Sequence, residues 1–151
     1  MSFTTLPAIE HQVSVRCSVA HAFDVFTARL GEWWPVRTHS VAAGTERTAV
    51  AAAIEGRIGG RIFETQDDGT ERTWGTVTAW EPPRRLAILW TVSDEGADTE
   101  LEVRFEPVEE GTRVTLSHRG WDTAERRSSY EDGWPGVLHA FAAAITRRTR
   151  S

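Results

Sequence analysis

The sequence predicts an α+β fold in which a curved antiparallel sheet of about seven strands wraps around a long C-terminal helix. Six short β-like segments follow one another between about residues 46 and 118, and the turns between them are too short for parallel crossovers. An apolar stripe at helical spacing follows after about residue 120. The length of 151 residues fits one domain, 1–151, with a core of about 8–147.

Two elements precede the six strands. Residues 8–17, "AIEHQVSVRC", indicate a first strand. Residues 18–30 indicate a helix, because Ser18 is a favourable N-cap and an apolar stripe follows it. That stripe consists of Val19, Phe23, Phe26 and Leu30. A second short helix is expected directly after it, within "GEWWPVRTHS".

The later segments are separated by residues that favour turns. The separators are "EGRIGG", "DDGTE", "EPPR", "SDEGAD" and "PVEEG". The segment "TELEVRF" alternates, with Leu101, Val103 and Phe105 on one face and Glu102 and Arg104 on the other. One face of the sheet is therefore buried and the other is exposed to solvent. Only the long helix is large enough to cover the buried face, and the space beneath it is a natural ligand pocket.

The long helix is predicted from about Tyr130 to Arg147. Its stripe lies at i, i+4, i+7 and i+11 and consists of Trp134, Leu138, Phe141 and Ile145. Pro135 either fits the first turn of this helix or kinks a longer helix that starts earlier. His139 lies well off the stripe, so we do not expect it to bind a ligand.

Composition excludes several classes of protein. The net charge of −5 argues against nucleic acid as the main partner, because phosphate binding needs clustered positive charge. No apolar run approaches the ~20 residues of a membrane span, and the N-terminus lacks the features of a signal peptide. Cys17 is the single cysteine, so it forms no internal disulfide, and a reducing cytoplasmic location is expected.

Several longer motifs resemble one protein family. They are "GRIGGRIF", "GTVTAWEPPRRLAILW", "TELEVRFEPVEEGTRVTLSHRGW" and "GWPGVLHAF". With the order of elements, they resemble the helix-grip fold of the START-like (SRPBCC) superfamily, in the branch named after the activator of the heat-shock-protein 90 ATPase. The resemblance covers about residues 8–147 and implies a container: superfamily members bind lipids, hormones or polyketides, and some catalyse cyclisation or hydrolysis. Such a fold does not by itself define a function.

No catalytic constellation is evident. The sequence lacks G-x-S-x-G, H-E-x-x-H, C-x-x-C and P-loop motifs. The glycine-rich "GRIGGR" enters a strand rather than a helix, so it is interpreted as a hairpin turn. The five histidines are scattered, without metal-ligand spacing on one element. We therefore predict no catalytic residue, no metal site and no cofactor.

His118 and Glu64 are the titratable residues best suited to a pocket. His118 lies an even number of residues from Val114 and Leu116, so it is expected on the same, buried face of the strand, at the pocket mouth. It is either a hydrogen-bonded core histidine or a donor or general acid–base, in which case affinity for an acceptor ligand should rise as pH falls through roughly 6.5. Glu64 shares the parity of Ile62, and is either solvated or aimed into the cavity.

Seven tryptophans are unusual in a chain of this length. The adjacent Trp33 and Trp34, together with Trp90 and Trp134, are placed to meet under the long helix. Their rings either fill the interior or line a pocket there. The full predicted ligand-binding set is Trp33, Trp34, Glu64, Trp90, His118, Trp134, Leu138 and Phe141.

Three functions are compatible with this sequence. The leading hypothesis is non-enzymatic binding of a small, largely apolar molecule, aromatic or lipid-like, in the cavity between sheet and helix. The first alternative is a cyclase- or hydrolase-type enzyme that uses the same cavity. The second is a co-chaperone-like interaction module with a chaperone partner, which calls for an exposed apolar patch. A homodimer through the "WWPVRTHS" loop or the edge of the first strand is also compatible, because the outward faces of the later strands are polar.

Overall fold

The computed structural model describes residues 6–43, 45–91 and 98–149, with side chains up to Thr146. Its elements follow the predicted order, although most of the predicted turn at residues 93–98 lies outside the described residues. The helices are α1 at Val19–Phe26, a 3₁₀ helix at Leu30–Glu32, and α2 at Ala124–Thr149. The strands are β1 at Ile9–Val15, β2 at Ala49–Ile54, β3 at Arg61–Gln66, β4 at Glu71–Glu81, β5 at Arg85–Trp90, β6 at Thr99–Val108 and β7 at Gly111–Arg119.

The seven strands form one sheet in which every pair is antiparallel. Their order is β1-β7-β6-β5-β4-β3-β2. Strands β1 and β2 are consecutive in the chain but lie at opposite edges, so α1 and the 3₁₀ helix connect the two edges. The sheet curls into a half-barrel around α2. The helix-grip prediction is therefore confirmed.

A β-bulge in β4 turns a tryptophan into the concave side of the sheet. Ile62 pairs with Gly75 while the next residue, Phe63, pairs with Thr73, so Trp74 is an extra residue in β4. Trp74 and Gly75 are both buried, although consecutive residues of a regular strand point to opposite faces. Because a bulge re-aims side chains, alternation alone does not give the direction of Trp74.

Helix α2 begins earlier than the sequence predicts, at Ala124 rather than near Tyr130. Thr123 precedes it, and its hydroxyl accepts a hydrogen bond from the backbone N–H of Arg126 at 3.2 Å. The first turns of the helix are polar, so they carry no apolar stripe from which a helix could be predicted. Pro135 lies inside the helix, which agrees with the second of its two interpretations.

The apolar stripe of α2 is buried in the main core, as predicted. Leu138 is 3% exposed, so we expect Leu138→Ala to lower the free energy of unfolding by about 2–5 kcal/mol, because it removes close-packed atoms and leaves a cavity. Urea denaturation checks this, with the neighbouring exposed His139→Ala as control. A loss under about 0.5 kcal/mol for Leu138→Ala would mean that the stripe does not hold the helix on the sheet.

The outer face of β6 is charged, as its alternation indicated. Arg104 is exposed. Glu102 is only 5% exposed, because Arg85 and Arg104 donate to its two carboxylate oxygens at 2.5 and 3.0 Å. With these ion pairs, the outer face of the sheet around β6 carries no broad apolar area.

Candidate functional site

A cavity of about 340 Å³ lies between α2, the concave face of the sheet and residues 34–41. This volume lies within the range of small-molecule sites. Thr38 and Ser129 line the cavity and are exposed, so the mouth opens between the segment that carries Thr38 and the first turns of α2. The predicted space under the long helix is therefore present.

Four tryptophans form a closed ring of contacts in the cavity wall, and we call them the four-indole ring. The centroid distances are 5.0 Å for Trp34–Trp74, 6.0 Å for Trp74–Trp90, 5.8 Å for Trp90–Trp134 and 6.1 Å for Trp34–Trp134. These distances are in the range of favourable aromatic pairs. All four side chains line the cavity, so its apolar walls are largely aromatic.

Every indole N–H of the four-indole ring already has an acceptor within the chain. The acceptors are the His39 carbonyl for Trp34 at 2.8 Å, Glu64 for Trp74 at 2.7 Å, the Tyr130 hydroxyl for Trp90 at 3.0 Å and His118 for Trp134 at 3.1 Å. These bonds hold each ring in one orientation. The four rings therefore offer apolar surface to a ligand rather than hydrogen-bond donors.

Glu64 points inward, which is the second of the two positions that the sequence left open, and is wholly buried. Oε1 accepts from the Val41 N–H at 2.5 Å and from the Trp74 indole N–H at 2.7 Å. Oε2 accepts from the Ala42 N–H at 3.1 Å and from Gln66 Nε2 at 3.2 Å. With four donors the carboxylate is satisfied. Glu64 is not among the residues that line the cavity, which corrects our expectation that it contacts the ligand directly. Its role is instead to anchor the segment that forms one wall.

The expectation that His118 lies at the cavity mouth is wrong, because the side chain is wholly buried. Its Nδ1 accepts from the Trp134 indole, which can only donate, so the ring proton is on Nε2 and is donated to Thr99 Oγ1 at 2.7 Å. The Trp121 ring covers it at 4.3 Å between centroids. Burial, and then the charge of Arg126, lower the pKa of His118 to about 3. His118 is therefore no reason to expect affinity to rise as the pH falls through 6.5.

The remaining predicted residues divide between core and cavity. Trp33 donates its indole N–H to the Val25 carbonyl at 2.8 Å, and its ring contacts Phe141 at 5.4 Å. Trp33, Leu138 and Phe141 belong to the filled core and not to the lining. The tryptophan pair therefore splits, with Trp33 in the core and Trp34 in the wall. Contact with a ligand stays a prediction for Trp34, Trp90 and Trp134.

His39 is a lining residue that the sequence analysis did not identify. Its ring lies against α2 at Gly133 and Gly136, where a Cβ would come within 3.6–3.7 Å of ring atoms. A Cβ at either position would be in ordinary van der Waals contact with the ring, so the ring packs closely on this face of α2. The sequence signal for this packing is the pair of glycines three residues apart inside a helical segment, "GWPG".

Tyr130 is a second residue that the sequence analysis missed, because it lies before the apolar stripe. Its ring contacts Trp90 at 6.3 Å and Trp134 at 6.2 Å between centroids. Burial raises the pKa of Tyr130, so its hydroxyl keeps its proton at neutral pH. This hydroxyl accepts from Trp90 and retains a proton with which it can donate to a ligand.

The described residues contain no group of His, Cys, Asp or Glu side chains that could hold a metal ion. In the same part of the chain, no helix is long and apolar enough to cross a membrane.

Comparisons with known proteins agree with this architecture. Residues 16–146 match the family model described as Activator of Hsp90 ATPase homolog 1-like protein. No curated protein matches the chain. Among solved structures, the chain is similar to protein MLL2253 from Mesorhizobium loti, with 16% identity, a TM-score of 0.71 and coverage of 94% of this chain and 98% of that one.

Two further solved structures are informative. An anthrahydroquino-Gama-pyrone synthase, Txn09, is 40% identical over 76% of this chain and 77% of its own, with a TM-score of 0.52. The Aha1 dimer from Colwellia psychrerythraea is 20% identical, with a TM-score of 0.67 and coverage of 93% and 96%. The family match spans most of the chain, and the helix-grip fold accompanies it. The chain therefore belongs to the family of Activator of Hsp90 ATPase homolog 1-like proteins, as the sequence motifs indicated.

Proposed function

We propose that the protein binds a planar, largely apolar aromatic molecule in the cavity under α2. The observation that carries this proposal is the four-indole ring, whose members all line that cavity. Indole surfaces pack well against flat aromatic rings in stacked or edge-to-face arrangements. Burial of apolar ligand surface contributes roughly 25 cal/mol per Å², and His39 and Tyr130 supply the polar contacts that orient the ligand.

The relative at 40% identity supports an aromatic rather than a lipid-like ligand. Its name describes a synthase of an anthrahydroquino-γ-pyrone, and such a product is a flat, fused polycycle. The four-indole ring suits a flat polycycle better than a flexible chain, because a rigid ligand loses less conformational freedom when it is bound.

A second candidate function is ring closure on such a molecule, and the same relative favours it. When a hydroxyl adds to a conjugated alkynyl ketone to form a γ-pyrone, the O–H bond and one carbon–carbon π bond break, a C–O bond forms, and the proton passes to the carbon beside the ketone. His39 and Tyr130 are groups in the wall that can accept and donate a proton. Substrate turnover would distinguish this candidate from binding alone.

A co-chaperone-like role is less well supported than a cavity function. Among the described residues, the exposed large apolar side chains are Val50, Ile58 and Leu89, which lie on β2, on the β2–β3 turn and on β5. A docking site for a folded protein usually needs a contiguous apolar patch. A cytoplasmic location and a homodimer remain part of our proposal, resting on the single Cys17 and on the dimeric relative.

Titration with 2-methoxyanthraquinone, a flat apolar tricycle, tests the binding function. We expect saturable quenching of the intrinsic tryptophan fluorescence, because the ligand must contact the four-indole ring. Trp90→Ala should weaken binding about 5- to 10-fold, since an aromatic pair contributes roughly 1 kcal/mol beyond the burial of its area. Trp80→Ala is the matched control, because Trp80 lies outside the cavity lining and contacts Phe23 instead.

The binding function is contradicted if 2-methoxyanthraquinone and related flat aromatics leave the fluorescence unchanged. It is also contradicted if Trp80→Ala and Trp90→Ala weaken binding equally, because the ligand would then bind elsewhere.

A further inference from the structure

We propose that His39 is the base of this cavity and that its Nε2 takes the proton of a phenolic hydroxyl on the bound aromatic ligand. The inference rests on the proposed function, and it adds the chemical class of the ligand and the residue that selects it. It makes the preferred ligand a hydroxylated flat polycycle rather than any apolar aromatic molecule.

The hydrogen bonds around Thr38 favour one tautomer of His39. Thr38 Oγ1 lies 2.7 Å from His39 Nδ1 and 3.3 Å from the Pro35 carbonyl. The carbonyl can only accept, so both bonds form when Thr38 donates to Pro35 and accepts from Nδ1–H. The neutral ring then carries its proton on Nδ1 and a lone pair on Nε2. Thr38 is thus a positioning residue that acts through His39.

The backbone and the ring of His39 are held in place from three sides. Trp34 donates its indole N–H to the His39 carbonyl at 2.8 Å, and the His39 N–H donates to the Pro35 carbonyl at 2.9 Å. The Nε2 edge of the ring lies against α2, with Nε2 at 3.7 Å from the Cβ position of both Gly133 and Gly136. No described group bonds Nε2, and both His39 and Gly133 line the cavity, so a molecule in the cavity can reach the lone pair.

The lack of charged side chains in the cavity lining favours a neutral hydrogen-bond donor as the ligand group beside His39. The described lining contains no arginine, aspartate or glutamate, and Arg126, one turn before Tyr130, is paired with Asp122 at 2.7 Å. A ligand that enters as a carboxylate would meet a neutral His39 and no cation in the described lining, so its charge would be buried without a counter-ion, which is costly. A phenol enters neutral, buries its ring against indoles and offers an acidic O–H to Nε2.

The proton transfer is balanced within the site. The phenolic O–H bond breaks, its electron pair stays on the oxygen, and an Nε2–H bond forms. The negative charge is delocalised over the aromatic system. The imidazolium then donates from Nδ1 to Thr38 and from Nε2 to the phenolate, and charge-assisted bonds of this kind are stronger than neutral ones.

Paired titrations with 2-hydroxyanthraquinone and 2-methoxyanthraquinone test the inference at fixed neutral pH. In the unaltered protein, the hydroxyl compound should bind about 3- to 10-fold more tightly, as expected for one added hydrogen bond. Its visible absorption should also shift to the longer wavelength of the phenolate on binding. His39→Phe should remove both differences and should weaken binding of the methoxy compound less than binding of the hydroxyl compound, because a ring still packs against α2.

Two further variants separate proton transfer from shape. His39→Gln keeps an acceptor oxygen but cannot take the proton, so the absorption shift should disappear. Thr38→Val should diminish the absorption shift of the hydroxyl compound and should change the affinity for the methoxy compound less than the affinity for the hydroxyl compound. His139→Gln, at an exposed histidine on α2, should change neither measurement.

The outcomes distinguish this inference from the function on which it rests. If the methoxy compound binds but the hydroxyl compound gains no affinity and shows no shift, the base assignment is overturned and the binding function stands. If His39→Phe weakens both compounds equally, His39 only shapes the wall, and the assignment is again overturned. If neither compound binds the unaltered protein, the binding function itself is wrong.

Discussion

Replacing Glu64 by alanine should lower the free energy of unfolding by about 3–6 kcal/mol. The substitution leaves the N–H groups of Val41 and Ala42 and the indole N–H of Trp74 without an acceptor. Each buried donor without a partner costs roughly 1–3 kcal/mol, and the segment at 41–42 recovers part of the loss by moving towards water. Urea denaturation at neutral pH measures the change.

The same substitution should also weaken ligand binding, because Glu64 holds one wall of the cavity rather than touching its contents. Hydrogen exchange of the Val41 and Ala42 amides should accelerate in Glu64→Ala. Glu64→Gln, which keeps the volume and one acceptor oxygen, should cost less than Glu64→Ala.

Glu106→Ala is the matched control for this prediction. Glu106 is an exposed glutamate on β6, and its loss should change the free energy of unfolding by less than about 0.5 kcal/mol. Equal, small effects of Glu64→Ala and Glu106→Ala would show that the buried carboxylate does not anchor the wall.

Lowering the pH should destabilise the protein through His118. The pKa of His118 is about 3 in the folded protein and roughly 6.5 in an unfolded chain. Between these values the unfolded state binds a proton that the folded state does not, so the contribution is fully present above roughly pH 6.5 and is lost as the pH falls towards 3. The slope is about 1.4 kcal/mol per pH unit, and the total is about 4–5 kcal/mol.

The physical origin of this loss is the bonding of the His118 ring. Nδ1 accepts from Trp134 and Nε2–H donates to Thr99, so a second proton would have to enter at Nδ1 and break the bond to Trp134. Urea denaturation of the unaltered protein and of His118→Gln between pH 7 and pH 4 measures the effect, because other titrations cancel in the difference.

The free-energy difference between the two proteins should shrink as the pH falls, since glutamine does not titrate. His139→Gln, at an exposed site, should keep the slope of the unaltered protein. If the free energies of unfolding of the unaltered protein and of His118→Gln changed in parallel with pH, His118 would titrate like a solvent-exposed histidine. The assignment of a buried, neutral His118 would then be contradicted.

The sequence by itself determined the direction of many side chains, because alternation along a strand and the helical period are local properties. The inward position of His118 and the buried stripe from Trp134 to Ile145 follow from that periodicity and are confirmed, whereas for Glu64 it left two positions open, of which the structure shows the buried one. The order of the elements and the helix-grip topology followed from turn spacing together with the family motifs, and both are confirmed.

Only the tertiary structure decided which of the inward-facing residues line the cavity. The depth at which a side chain is buried between sheet and helix depends on packing partners that are distant in sequence. Glu64 is satisfied by backbone N–H groups 22 and 23 residues away, and His118 by Thr99 at a separation of 19. Both carry polar groups that were expected to face a ligand. Those distant donors and acceptors satisfy them inside the protein instead.

The residues that complete the cavity wall also depend on nonlocal packing. Trp74 faces inward through a bulge that strand alternation cannot reveal. His39 enters the wall because its loop folds back onto two glycines of a helix about a hundred residues later in the chain. A local period fixes the face on which a side chain lies, but the depth of that side chain and its partners are set when separate elements pack together.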